Sequence, residues 1–205
     1  MDQIDNIILT SLYVSSLSKE DPTEIVKKKN FLSEDYIGGR IDRFVKNGLV
    51  ENDKKTLTEI GRTSLTVVLT GGVFDIIHPG HIHTLNSAKS LGDVLLVVVA
   101  TNQTAEKMKK RIPLHNQEQR QNLVNSLSMV DLCIIGHEGD IFKTVEFVKP
   151  EIIALGYDQI HQEKFITEGC KKLNLNVKVA RLQSPNPEIS SSQIEKDYGE
   201  NIHDI

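Results

Sequence analysis

Apolar positions in the first 65 residues recur at helical spacing. Ile4, Ile7, Ile8 and Leu12 form one stripe, Thr23 to Lys29 reads as a second helix, and Ser33 is placed to cap a third, with Tyr36, Ile37, Ile41, Phe44 and Val45 on its apolar face. Asn47-Gly48 ends that helix. Leu49-Val50-Glu51 and Thr56-Leu57-Thr58 then flank the polar cluster Asn52-Asp53-Lys54-Lys55, which predicts a small hairpin. From residue 66 the period changes. Apolar runs at Thr66 to Leu69, Val94 to Ala100, Val130 to Ile135, Ile152 to Leu155 and Val177 to Ala180 are separated by helical patterns. That alternation predicts an α/β fold, a Rossmann-like, doubly wound parallel sheet with helices on both faces. The chain therefore divides at residue 65 into a small helical domain, 1-65, and an α/β domain, 66-205, with no Gly/Ser/Pro-rich linker, internal repeat or low-complexity tract.

Composition narrows the class without naming a chemistry. In 205 residues, 39% hydrophobic and 25% charged with a net charge of −4, nothing suggests disorder. No apolar stretch approaches the roughly 20 residues that cross a bilayer, and the first residues lack a basic region followed by a signal-like core. A cytoplasmic protein with no membrane partner is expected. Cys133, in a strand-like run, and Cys170, in a polar helix, make no disulfide framework and read as reduced thiols with packing roles.

The chemistry is concentrated in Gly71-Gly72-Val73-Phe74-Asp75-Ile76-Ile77-His78-Pro79-Gly80-His81. A strand-like run ends here in paired glycines, where backbone can approach a phosphate chain. Two imidazoles follow, three positions apart, at the mouth of a helix that Pro79 starts well because its missing amide is one the first turn leaves free. Helix amides and dipole favour an anion at that point, and both histidines can donate hydrogen bonds to it. Binding beyond the carboxyl end of the first strand is also where an open α/β sheet places its ligand. A nucleotide-binding site is the reading that joins these features.

Together with Ala88-Lys89-Ser90-Leu91-Gly92-Asp93 and the strand after it, this stretch resembles the cytidylyltransferase-like nucleotidyltransferases, which carry an H-x-G-H signature. The resemblance runs from about Val67 to Ile194. Lys107-Met108-Lys109-Lys110-Arg111-Ile112-Pro113, Glu118-Gln119-Arg120 and Lys149 to Gln159 bring the likeness nearest to archaeal-type FAD synthases, the FMN adenylyltransferases. It implies attack of an acceptor's phosphate on the α-phosphorus of a nucleoside triphosphate, with pyrophosphate leaving, and catalysis by positioning and cations rather than by a protein nucleophile. It also implies residue roles. His78 and His81 contact the α-phosphate region, Gly71, Gly72, Val73 and Phe74 offer backbone amides, and Lys107 and Lys109 lie over the triphosphate, Lys109 with a catalytic part. Arg120 reaches back to the phosphates, Gly156 and Asp158 end the fourth strand beside the nucleotide, and Ser191 and Ser192 hold terminal phosphates. Three positions depart from the family's pattern: Val73 for threonine, Asn102 for aspartate and Tyr157 for proline. The implied cofactor is Mg²⁺, carried mostly by substrate phosphates with no dedicated protein ligands.

Acceptor and base stay open between readings. Lys149-Pro150 and Leu155 to Gln159 favour ATP and FMN, giving FAD; Pro187-Glu188-Ile189-Ser190 resembles the CTP-dependent branch, which acts on glycerol phosphate or another alcohol phosphate. A third reading is a DNA-binding regulator whose α/β domain senses a nucleotide or flavin. Helix, helix, helix, hairpin is the order of a winged helix-turn-helix, and Arg40, Arg43 and Lys46 on its third helix, with Lys54-Lys55 at the wing, stand where phosphate contacts belong. Residues 1 to 65 nevertheless hold ten Lys/Arg against eleven Asp/Glu, so no basic footprint marks the domain, and an assembly role as a homodimer is the alternative to DNA as partner.

Overall fold

The structure, a computed structural model, describes residues 2-30, 32-157, 159-183, 193, 194, 196 and 197. The chain divides into two compact units, Met1–Thr66 and Val67–Ile205.

In the first unit α1 (Gln3–Ser18), α2 (Pro22–Lys29) and α3 (Glu34–Lys46) each start at a side-chain cap, from Asp2, Asp21 and Ser33 respectively, which satisfies amides the first turn leaves free. Ile8, Leu9 and Leu12 of α1, Val26 of α2, and Ile37, Ile41 and Phe44 of α3 are buried. After α3 the chain forms a minimal hairpin, a single antiparallel bridge between Val50 and Leu57, closed by bonds from Glu51 N–H to Thr56 O and from Thr58 N–H to Leu49 O. The short α4 (Glu59–Thr63) follows, capped by Thr58.

Two of the three basic residues of α3, Arg40 and Arg43, are engaged within the unit. Arg40 donates to Asp5 at 2.6 Å, to Asp2 at 2.7 Å and to the Tyr36 hydroxyl at 2.6 Å, while Arg43 forks onto both oxygens of Asp5. Lys54 pairs with Asp42 at 2.7 Å. Asp5 is buried, so the two guanidiniums are what keeps its charge satisfied. Of the residues expected to offer charge to DNA phosphates, Arg40, Arg43 and Lys54 are thus paired with acidic side chains of the same unit.

The second unit alternates strand and helix: β1 (Val67–Gly72), α5 (Pro79–Lys89), β2 (Val94–Val99), α6 (Asn102–Lys109), α7 (Gln117–Asn125), β3 (Leu132–Ile135), α8 (Ile141–Val148), β4 (Ile152–Leu155), α9 (Ile160–Lys172) and β5 (Lys178–Arg181). Every pairing is parallel, in the order β3-β2-β1-β4-β5. The expected Rossmann-like sheet is what the chain forms. Its β-branched runs suit a sheet covered on both sides, and Val94, Leu95, Leu96 and Val97 are all fully buried. On one face Val68, Leu95, Val97 and Cys133 pack with Leu85 and Ala88 of α5 and Val124 of α7. Because the chain leaves β1 toward β2 and β3 and returns on the other side to β4 and β5, the strand order reverses between β1 and β4. Open parallel sheets take their ligands at that point. Among the described residues no helix is long and apolar enough to cross a membrane.

One tight contact in the first unit is easily tested. A methyl group on Gly61 would lie 1.9 Å from the Leu49 carbonyl oxygen, where neither backbone can yield without opening the hairpin. Gly61→Ala is expected to lower stability by about 2 kcal/mol or more, read from the denaturant midpoint.

Candidate active site

The motif loop leaves β1 at Gly72 and enters α5 at Pro79. A side chain on Gly72 would meet the Phe74 ring at 3.0 Å, so this position stays bare because an aromatic ring covers it. Phe74 itself has φ of 52°, in the left-handed region, a strain of order 1 kcal/mol that surrounding contacts must hold. Its ring stacks at 5.1 Å from that of His81, which in turn lies 3.8 Å from the His78 ring. His78 is the N-cap of α5 but makes no side-chain cap bond. Both Nδ1 atoms are buried and, among the described residues, without a hydrogen-bond partner.

Burial determines the charge of this pair. It pushes the His81 imidazole down to about 4, with the His78 and Lys109 charges adding to the effect and a backbone hydrogen bond at Ile76 opposing it. His78 is lowered by burial and by Lys109. Lys109, half-buried at the end of α6, is therefore electrostatically coupled to both rings. At neutral pH the structure presents two uncharged imidazoles beside one ammonium. Such a set can donate hydrogen bonds to phosphate oxygens without repelling the lysine, and an arriving triphosphate would favour protonating it.

Asp75 fixes the loop from below. Its carboxylate, fully buried, accepts from Leu114 N–H and His115 N–H at 3.1 Å and from Arg111 at 3.0 Å. Burial pushes its carboxyl up, but the His115, Leu114 and Arg111 donors outweigh burial and hold it below the usual carboxylate range. The segment that follows Lys109 is thereby fastened to the motif.

Arg120 is not where the sequence expectation put it. It is fully buried and donates from Nη1 to the Val73 and Ala100 carbonyls at 2.8 and 2.9 Å, from Nε to His115 O at 3.0 Å and from Nη2 to Asn102 Oδ1 at 2.9 Å. A guanidinium so engaged ties β1, β2, α6 and the 111-115 segment together and does not face the loop's outer side. Asn102, which takes one of these bonds, is committed to the same clamp and also donates its N–H to Gln117.

The remaining expected residues fall into three groups. Gly71, Gly72, Val73, Phe74, His78, His81 and Lys109 come together around the carboxyl end of β1. Gly156 stands just past β4, next to β1 in the sheet, its N–H donated to Gln159 Oε1; Lys107 is exposed on α6. Asp158, Ser191 and Ser192 lie outside the described residues. Sequence reading missed Asp75, Arg111 and His115 as the loop's anchors, although Asp75 sits inside the motif. It also missed a cavity of about 400 Å³ that opens beside Gly71 and Gly72 over residues of β1, β2 and β4, walled by Met108, Phe142, Phe165 and Ile166.

Fold and site together define a nucleotidyltransferase. Residues 69–197 match the family model described as Cytidylyltransferase-like, and the chain belongs to that family. Among curated relatives, a FAD synthase of Picrophilus torridus is 50% identical over 125 residues, 61% of this chain and 89% of that protein. One of Aciduliprofundum boonei is 50% identical over 116 residues, 57% of this chain and 77% of that protein. Among solved structures, a Thermoplasma volcanium protein described as a lipopolysaccharide core biosynthesis protein is 46% identical with a TM-score of 0.56, across 58% of this chain and 98% of its own.

Two outcomes follow from the geometry. Arg120→Ala strands two strand-end carbonyls and the His115 carbonyl in a buried place, so a stability loss of about 3 kcal/mol or more is expected in a denaturant titration. His81 titrates near 4 folded and near 6.5 unfolded, so between those values the unfolded chain binds more protons. Stability contributed by its burial is complete above about pH 6.5 and is lost as pH falls toward 4. It amounts to something on the order of 2 to 3 kcal/mol. His81→Asn should flatten the pH dependence of the unfolding midpoint across that window.

Proposed function

We propose that this chain is an FMN adenylyltransferase, joining FMN to the adenylyl half of ATP to give FAD and pyrophosphate. The observation that carries the reading is the coincidence of two features at the β1/β4 switch: a phosphate-type loop with its histidine pair, and an apolar, aromatic-walled cavity that shares Gly71 and Gly72 with that loop. A site for phosphates beside a site for a flat ring system suits an acceptor built as FMN is. The name carried by the Picrophilus and Aciduliprofundum relatives supports the same acceptor.

In this reading an FMN phosphate oxygen attacks the α-phosphorus, the bond to the β-phosphate bridge breaks, and its electrons leave with pyrophosphate. His78 and His81 donate to oxygens around the α-phosphorus, where charge builds, and Lys109 adds a mobile point charge over the triphosphate. Amides of residues 71-74 line the approach. Mg²⁺ is the expected cofactor and would neutralise charge on the outer phosphates. In this reading the ion is held mainly by substrate oxygens; among the described residues no group of three or more His, Cys, Asp or Glu is arranged for a metal.

For the first unit the element order supports a winged helix-turn-helix. The carboxylates on Arg40 and Arg43 favour an assembly role, as a homodimer, over binding of DNA phosphates.

Incubation of the purified chain with ATP, FMN and Mg²⁺ should yield FAD and pyrophosphate in equal amounts, with CTP the poorer donor. His81→Ala should cut turnover by about 10² to 10³, the scale of a lost donor to transition-state charge. Product formed only from CTP and an alcohol phosphate would move the chain to the other branch of the family.

A further inference from the structure

The cavity beside the motif loop is mostly apolar, and apart from Gln162 the polar side chains deeper in its wall are already engaged. Thr70 donates to the Ala154 carbonyl at 2.8 Å, Thr101 caps α6, Asp140 caps α8, and Gln159 Oε1 takes the Gly156 amide. His137 is different. It follows β3 by two residues, lines the cavity and is exposed at its rim.

Its ring is held by one buried hydroxyl. Thr144 Oγ1, 1% exposed, accepts the His137 backbone N–H at 3.2 Å and lies 2.9 Å from His137 Nδ1. Among the described residues that oxygen has no other partner, which favours donation of its hydroxyl proton to Nδ1. The imidazole proton then resides on Nε2. The edge of Phe147 packs against the same ring, centroids 6.4 Å apart at 67°, which limits its rotation. The result is a single N–H donor with a set tautomer and a braced ring at the rim of a greasy cavity. A fixed donor of that kind rewards a ligand that is apolar over most of its area and carries an acceptor on one edge.

We propose that His137 is a specificity-determining residue for the acceptor, its Nε2–H hydrogen-bonding a carbonyl or imine nitrogen on the edge of the ring system that fills this cavity. The inference rests on the FMN reading, since an isoalloxazine has a methylated apolar end and an opposite edge of carbonyls and imine nitrogens. Thr144 acts through His137 as a positioning residue. Adenine offers fewer such acceptors and no carbonyl.

The full chain, with Mg²⁺ and a non-hydrolysable ATP analogue, can be titrated with FMN while flavin fluorescence and absorbance are followed. His137→Phe, which keeps a flat ring and removes the donor, should weaken FMN binding about three- to tenfold and erase the hydrogen-bond shift in the flavin spectrum. His137→Gln should restore most of both, while affinity for the ATP analogue and the thermal midpoint stay at wild-type values. His137→Ala serves as the donor-free variant if the phenylalanine side chain disturbs the rim. Equal FMN affinity and equal spectra in wild type, His137→Phe and His137→Ala overturn the role of His137 and leave the FMN reading intact. Failure of glutamine to rescue also overturns it, since shape rather than the donor would then be what matters. A wild-type chain that binds the ATP analogue but no FMN overturns the acceptor reading itself, and the role of His137 with it.

Discussion

A buried guanidinium sets the shape of the motif loop, and most of the site depends on it. Arg120 holds the carbonyls of Val73, Ala100 and His115 and the side chain of Asn102 at once, from the end of the sheet where no solvent reaches. Burying a charge is unfavourable unless its donors are met and a counter-charge is near. Burial lowers the Arg120 pKa, and the charges of Asp75 and Glu118 act against that. Asp75 in turn is clasped by the 111-115 segment. Between Val73, fixed by Arg120, and Asp75, fixed by two amides, Phe74 has no choice but the left-handed conformation it adopts. Strain at one residue is maintained by strong bonds at its neighbours.

That arrangement explains why the Nδ1 atoms of both histidines are buried. Phe74, turned over Gly72 and stacked on His81, covers one side of the pair, and burial then strips both imidazoles of their charge. Neutral rings beside Lys109 leave the site with little positive charge of its own, and in the proposed function arriving phosphates would make the rings easier to protonate. Preorganised donors of this sort stabilise charge where it develops and need little rearrangement at the moment of reaction.

The sequence carried the sheet plainly, because Val67 to Leu69, Val94 to Val99 and Ile152 to Leu155 are apolar runs that only a strand covered on both faces explains. It carried the loop too, since paired glycines, proline and histidines are each tied to a local backbone need. Arg120 was illegible for a physical reason. It sits in Gln117-Glu118-Gln119-Arg120, an all-polar stretch that reads as a solvated helix face, and only the tertiary fold turns that one side chain inward. The pairing of Arg40 and Arg43 was hidden in the same manner. Their spacing places them on one face of α3, but nothing local reveals that Asp5, some 35 residues earlier, lies against that face. The cavity was hidden because its walls come from α6, α8 and α9, which the strand pattern treats as spacers.

The physical separation of these parts bears on how such a chain selects its substrates. Loop, histidines and Lys109 belong to β1, α5 and α6, and in the proposed mechanism they address phosphates, which every nucleotidyl transfer shares. The cavity wall that would meet an acceptor's ring comes largely from α8 and α9, on the face of the sheet opposite α5 and α7. Exposed Ile141 and Phe165 on those helices take no part in holding the motif loop, which Asp75 and Arg120 fix independently. In the proposed function, chemistry and acceptor choice thus draw on largely different elements, with α6 and the two motif glycines common to both. In that reading, substitutions in α8 and α9 would reshape what the cavity accepts with little effect on the motif loop, whereas any change that loosens Val73 or Asp75 would alter both at once.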